Sequence, residues 1–212
     1  NNFFFSEIII IDSSDNPLSI KPKEFQKIRK KIKIYESIPS ISIQRNMGLK
    51  KVNYNSNYVM FLDDDVNFRE NAFKEMQKFL IKNKKYTGIG FNLIINKKSF
   101  LEKIKRSKFF QILKVYDKSS GIVTKSGWHT KAVNLKIDTE VQWLPTQAVI
   151  YDNKKIKKYK FEEEFGKYSY LEDLDFSYQI YKIGKLIINH KAKYSSNNVV
   201  DRNFFFFGVK EI

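Results

Sequence analysis

Tyr58-Val-Met-Phe-Leu62 runs straight into Asp63, Asp64 and Asp65. Five apolar residues of this kind have the length and content of a buried strand, as in a parallel sheet. The three carboxylates then stand at its C-terminal end. In open α/β sheets that end faces the ligand crevice. Adjacent carboxylates repel one another and call for a compensating cation. Oxygen ligands suit Mg²⁺ or Mn²⁺, held by one or two carboxylates together with substrate phosphates. The plainer reading is a polar turn in which one Asp caps the next helix. The triplet alone leaves both readings open.

Length and composition narrow the field. The 212 residues support one substantial core, and 42% hydrophobic with 16% aromatic content argues for a packed domain. The net charge of +16 permits contact with nucleic acid, an anionic membrane surface or phosphorylated substrates. The lysines are spread along the whole chain, without zinc-ligand spacing or an RNA-binding signature, so specific nucleic-acid recognition is not expected. Peripheral contact with anionic lipid is a middle case. The absence of cysteine excludes disulfides and thiol catalysis and fits a reducing compartment. No apolar run reaches the roughly 20 residues that span a bilayer.

In chain order, Phe3 to Ile11 reads as a buried strand, ending in the polar turn Asp12-Ser-Ser-Asp-Asn16. Pro22 opens a helix carrying Phe25, Ile28 and Ile32 at helical spacing. Lys33 to Glu36 is a short strand, and a short helix starts at Ser42. After the triplet, Phe68, Ala72, Phe73, Met76 and Leu80 form the core stripe of a helix over about 70–83, capped by Asp65 or Asn67. Tyr86 to Ile95 is another strand, and Leu101 to Val115 a basic amphipathic helix. Gly121 to Gly127 and Trp143 to Tyr151 read as extended. Leu186 to Asn189 is a last short strand, and Phe204 to Phe207 an apolar run. This alternation predicts an α/β fold with a mixed, mostly parallel sheet flanked by helices.

Tyr170 to Gly184 is the second conspicuous element. Leu171, Leu174, Tyr178 and Tyr181 make one apolar stripe and Phe176, Ile180 and Ile183 another, so the helix is largely buried. Glu172, Asp173 and Asp175 crowd its first turn. The positive end of the helix dipole alone accounts for acidic residues there. The functional reading is a carboxylate beside a pocket, acting as a general base.

Taken together, these segments resemble the family-two, GT-A-fold inverting glycosyltransferases, in particular rhamnosyltransferase-like members. Ile8-Ile-Ile-Ile-Asp-Ser-Ser-Asp15 is similar to the family's second strand and its turn. Gln44-Arg-Asn-Met-Gly48 resembles the A-R-N-x-G segment, Phe61-Leu-Asp-Asp-Asp-Val66 the D-x-D motif, and Leu171-Glu-Asp-Leu-Asp-Phe176 the E-D motif. The resemblance implies a Rossmann-like GT-A sheet and a single domain over 1–212 that lacks the family's first strand. It implies transfer of a sugar from a nucleotide-diphosphate sugar to a glycan or lipid-linked acceptor, in bacterial surface glycan synthesis at the cytoplasmic face of the membrane. Asp173 is then the catalytic base. Asp12, Arg45, Asn46, Asp63 and Asp64 belong to the nucleotide-sugar site, Asp64 being the least expected to touch substrate. Asp65 and Asp63 hold Mn²⁺ or Mg²⁺. Glu172 and Trp143 lie on the acceptor side or behind it. Thr146-Gln147 stand where the family often has small residues. His190 falls too early for a metal ligand and reads as a surface histidine, while Ser195-Ser196 stand nearer that place. The rivals are a non-catalytic basic module for nucleic acid or membrane, and a nucleotidyltransferase on a related fold.

Overall fold

A computed structural model describes residues 5–16, 31–95, 119–125, 127–164 and 171–196. The body of the helix expected after Pro22, the basic helix from Leu101 to Val115 and the Phe204–Phe207 run lie outside these residues. Strands β1 (Ile8–Asp12) and β2 (Ile32–Glu36) pair in parallel as a two-stranded sheet. Helix α1 (Ile41–Lys51) packs on β1. Then come β3 (Tyr58–Leu62), β4 (Val66–Phe68), α2 (Ala72–Lys82), β5 (Gly88–Leu93), β6 (Thr139–Val141), β7 (Ala148–Asp152), α3 (Asn153–Ile156), α4 (Glu172–Tyr181) and β8 (Leu186–Ser196).

The main sheet has six strands in the order β3-β7-β5-β8-β4, with β6 paired to β8. The α/β class and the mixed sheet are as expected, but the balance of directions is not. Among the described residues only β5 and β8 run parallel in this sheet, and every other pairing in it is antiparallel. The local apolar pattern reports a strand, not the direction of its neighbour.

Alternation along the central strands builds one core on each face. Ala148 and Ile150 of β7 join Ile89, Phe91 and Ile187 against Met76 of α2. Val149 and Tyr151 join Leu186 and Ile188 against Phe176 and Ile180 of α4. The glycines of β5 follow from this second layer. A Cβ at Gly88 would stand 2.7 Å from the Tyr151 ring, and one at Gly90 would stand 2.7 Å from Leu144.

Three local expectations change. Strand β1 is half-buried rather than buried, and β3 exposes Tyr58 and Leu62, because β3 pairs only with β7 among the described residues. Helix α2 is not capped by Asp65 or Asn67. Those residues flank and enter β4, and Asn71 starts the helix in the left-handed region with no side-chain cap bond. Strand β8 runs on to Ser196, well past Asn189.

The rings of Phe61, Tyr151, Phe161 and Phe176 tie the layers together. Phe161 stacks on Phe176 at 4.1 Å, and Phe61 meets Phe161 edge-on at 5.4 Å and Phe176 at 6.2 Å. Phe61 precedes the triplet by two residues and Phe176 follows Asp173 by three, so this cluster sets the spacing of the two acidic segments. Phe176→Ala is expected to cost about 3–5 kcal/mol in urea unfolding. A loss under about 1 kcal/mol would show that the cluster does not hold α4 in place.

Candidate active site

The triplet emerges from β3 with Asp63 and Asp65 half-buried and Asp64 exposed, the alternation of an extended chain. Asp63 N–H donates to the Gln147 carbonyl at 3.1 Å, which continues the β3–β7 ladder by one step. Strand β4 then pairs with the end of β8, Val66 opposite Ser196. This register brings the Ser196 hydroxyl to Asp65, donating to Oδ2 at 2.5 Å.

Helix α1 supplies the counter-charge. Gln44 Nε2 donates to the Ile11 carbonyl at 3.1 Å and fixes the helix on β1. The next residue, Arg45, reaches the other way. One guanidinium nitrogen pairs with Asp63 at 3.2 Å and the other with Glu172 at the start of α4. Its guanidinium carbon stands 5.6 Å from the centre of the Phe161 ring. One side chain thus joins α1, the end of β3 and the first turn of α4.

Asp173 follows Glu172 and accepts the Leu174 N–H at 2.7 Å. Its side chain is half-buried. Burial, with the Glu172 charge beside it, pushes its carboxyl up to about 6, against the pull of Arg45. Burial also raises Asp63, with Asp64 and Asp65 adding to it, and outweighs the bridge from Arg45. Tyr194 of β8 lies within this field. Its hydroxyl is buried and raised, first by burial and then by the charges of Asp63, Asp65 and Asp173.

Other residues named from the sequence have protein partners of their own. Asn46, expected in the nucleotide site, is 3% exposed and its amide is fully engaged. It donates to the Phe161 carbonyl and to Glu163 and accepts the Phe161 N–H, so it anchors the irregular segment whose Phe161 ring lies by Arg45. Trp143 is buried, with its indole N–H on the Thr130 carbonyl and its ring edge-on to His129. Glu172 orients Arg45. Asp12 ends β1, its Oδ1 holding the Ser14 N–H and hydroxyl. His190, half-buried in the middle of β8, pairs with Asp138 at 2.7 Å, away from the acidic triplet. Tyr194 was not foreseen. The Lys191-Ala-Lys-Tyr194 alternation, exposed and buried in turn, is the signal that would have found it.

Asp63 and Asp65 each keep one carboxylate oxygen outside these contacts. Among the described residues no group of three His, Cys, Asp or Glu side chains assembles a closed metal site. The hard oxygen set fits a divalent ion that takes its remaining ligands from phosphate and water. A cavity of about 130 Å³ lies at the opposite end of β8, lined by Glu140, Gln142, Lys185 and Leu186 among others. Its charged residues, Glu140 and Lys185, pair with each other at the surface. The acidic cluster at the carboxyl end of β3 is the candidate site.

The sequence profile described as glycosyl transferase family 2 matches residues 3–144. The chain belongs to that family. No curated protein matches it. Among solved structures it is similar to residues 1–349 of TarS from S. aureus, at 17% identity and a TM-score of 0.53, covering 90% of this chain and 50% of that one. It is similar as well to GalNAc-T7 crystallised with UDP, GalNAc and Mn²⁺, at 14% identity and a TM-score of 0.59, covering 90% of this chain and 37% of that one. The chain therefore spans half or less of the length of these two. They share its GT-A fold, and the family is one of glycosyltransferases.

Removing Arg45 leaves Asp63 and Glu172 without their cation. Arg45→Met is expected to cost about 3 kcal/mol in urea unfolding. Adding Glu172→Gln to that variant should recover part of the loss. No recovery would show that the two residues are not coupled.

Proposed function

We propose that this protein transfers a sugar from a nucleotide-diphosphate donor to an acceptor hydroxyl, with inversion. The observation that carries the proposal is the juxtaposition of two carboxylate segments of different character around one guanidinium. Asp63 and Asp65 face a site open to a ligand, and Asp173 stands beyond Arg45 with its carboxyl raised to about 6. A carboxylate in that range is ionised at neutral pH and is a better proton acceptor than an ordinary aspartate.

Asp173 takes the proton of the acceptor hydroxyl as the hydroxyl attacks the anomeric carbon. The nucleoside diphosphate leaves from the opposite face, which needs the donor held in line. Asp63 and Asp65 hold the divalent ion, Mn²⁺ or Mg²⁺, which when bound neutralises charge developing on the departing diphosphate. The Mn²⁺ and UDP crystallised with GalNAc-T7 support this assignment. Asp12, at the carboxyl end of β1, receives the nucleoside. Arg45 acts between the two carboxylate segments rather than on the base alone. Among the described residues β3 pairs on one side only, with β7, which leaves room for a further strand beside it. The charge of +16, with Lys154, Lys155, Lys157 and Lys158 exposed beside Tyr54, supports a glycan or lipid-linked acceptor at an anionic membrane surface.

A thermal-shift panel of nucleoside diphosphates and nucleotide-sugars, with and without Mn²⁺, tests the reading, because a ligand that binds the native state stabilises it. Asp65→Ala should remove the Mn²⁺-dependent part of nucleotide binding in calorimetry, and unchanged metal dependence would take Asp65 out of the metal site. Asp173→Asn should abolish transfer with nucleotide binding retained. In the unaltered protein the rate should rise with pH through about 6. Stability should move the opposite way. The folded-state value lies above the ordinary aspartate value of about 3.9, so the Asp173 contribution is intact below that pH and lost as pH rises through about 6. Asp173→Asn should flatten this part of the stability profile, and turnover in that variant would remove Asp173 as the base.

A further inference from the structure

Four segments meet at the end of the main sheet away from the acidic triplet. Tyr58 of β3 lies opposite Asp152 of β7, Tyr151 opposite Gly88 of β5, and Gly88 opposite Leu186 of β8. This row is where β3, β5 and β8 begin and β7 ends. The triplet lies past the other end of β3. Backbone bonds tie the segments to one another across the row. Asn153 N–H donates to the Asn57 carbonyl at 3.0 Å, Asp152 N–H to the Thr87 carbonyl at 2.9 Å, and Thr87 N–H to the Lys185 carbonyl at 2.9 Å. The loops after α1, α2 and α4 and the segment from α3 therefore make one continuous surface.

Lysines scattered along the sequence gather on that surface. Lys50 and Lys51 close α1, and Lys82, Lys84 and Lys85 stand at and past the end of α2, all exposed. Lys154, Lys155, Lys157 and Lys158 come from α3 and the residues after it, and Lys182 and Lys185 from the loop before β8. The carboxylates at this end are already engaged. Glu7, which accepts the Asn53 N–H, pairs with Lys33 at 2.8 Å, Asp152 with Lys155 at 3.7 Å and Glu140 with Lys185 at 3.1 Å. No ion pair among the described residues engages Lys50, Lys51, Lys84, Lys85, Lys157 or Lys158. Helix dipoles account for lysines in the last turns of α1 and α2, but not for those beyond them. Nor do they account for the apolar side chains among the lysines. Ile81 is 66% exposed, Ile183 48% and Tyr54 74%, with the Lys157 ammonium 3.7 Å from the Tyr54 ring centre. Isoleucine gains nothing from water or from a phosphodiester chain. A bilayer offers an anionic plane to the lysines and an acyl boundary to isoleucine and tyrosine.

We infer that this end of the sheet is a docking face for an anionic lipid bilayer, with Lys84, Lys85, Lys157 and Lys158 against the head groups and Ile81, Ile183 and Tyr54 entering the boundary beneath them. The acidic triplet then points away from the bilayer. The five residues of β3 hold it roughly 17 Å from the docking face. At that height the site reaches the outer end of a lipid-linked glycan rather than a group next to its lipid phosphate. The inference extends the membrane contact named with the transfer, but docking is read without donor or metal, so its failure and that of the transferase reading are separate results.

Cosedimentation of the whole chain with lipid vesicles tests this. The chain should bind an equal mixture of phosphatidylcholine and phosphatidylglycerol at low salt, release it as salt rises, and ignore phosphatidylcholine alone. Each lysine near an anionic surface is worth about fivefold in partition. Lys84→Gln, Lys85→Gln, Lys157→Gln and Lys158→Gln together should therefore lower binding more than about tenfold. Lys131→Gln, Lys136→Gln, Lys191→Gln and Lys193→Gln, exposed toward the other end of β5 and β8, should change it less than about threefold. Equal losses from the two sets would show attraction by net charge without a face, and overturn the inference. Ile81→Ser with Ile183→Ser should weaken vesicle binding severalfold and leave binding to a single-stranded polynucleotide unchanged. A polynucleotide that binds more tightly than the vesicles and displaces the chain from them overturns the bilayer as partner. The chain has no cysteine, so one label reports orientation. A polarity-sensitive dye on Asn55→Cys should shift to the blue on vesicles, and the same dye on Asp64→Cys should not. The reverse pattern, or no binding to anionic vesicles, also overturns the inference and leaves nucleotide binding at the acidic cluster to be judged by itself.

Discussion

The Arg45 bridge to Asp63 and Glu172 is the contact on which the site depends. Two acidic segments more than a hundred residues apart would repel one another across a shared cleft. A single guanidinium, planar and always charged, can pair with both at once in a way a lysine could not. Its own position is over-determined: Gln44 ties the preceding residue to β1, and Asn46 ties the following one to the Phe161 segment. The Phe161 ring then lies under the guanidinium and stacks on Phe176 of α4. Charge and packing thus arrive at the same place from three directions.

That arrangement also accounts for the different behaviour of neighbouring carboxylates. Glu172 faces the guanidinium directly, whereas Asp173, one residue on, has burial and the Glu172 charge as its dominant neighbours. Adjacent positions in one helical turn therefore differ, one tied to a guanidinium and the other with its carboxyl raised. The same division recurs in the triplet, where Asp63 and Asp65 turn inward and Asp64 faces solvent.

Much of this was legible from residue order. The break from Leu62 to Asp63 marks the candidate site, and the double apolar stripe of α4 placed Asp173 on a largely buried helix. The GT-A family followed from four short segments in sequence, and its profile match over residues 3–144 establishes it. What escaped notice did so for physical reasons. Asn46 looks like a ligand residue in a motif, but a buried amide satisfies backbone groups equally well. The outward lysines of β8 made a strand resemble a loop, and with it Tyr194 dropped from view. Strand direction is a property of partners far along the chain, which a local pattern does not carry.

Strand β3 has a consequence of another kind. Its outer edge is unpaired among the described residues, and Tyr58 and Leu62 are exposed along it. Free N–H and C=O groups beside apolar side chains are a template for another strand, and proteins shield such edges by cover or by charge. Among the described residues the cover is partial, and a net charge of +16 adds mutual repulsion. Ionic strength then becomes a colloidal variable. Salt that screens the lysines will favour self-association edge to edge, beginning at the strand that carries the acidic triplet.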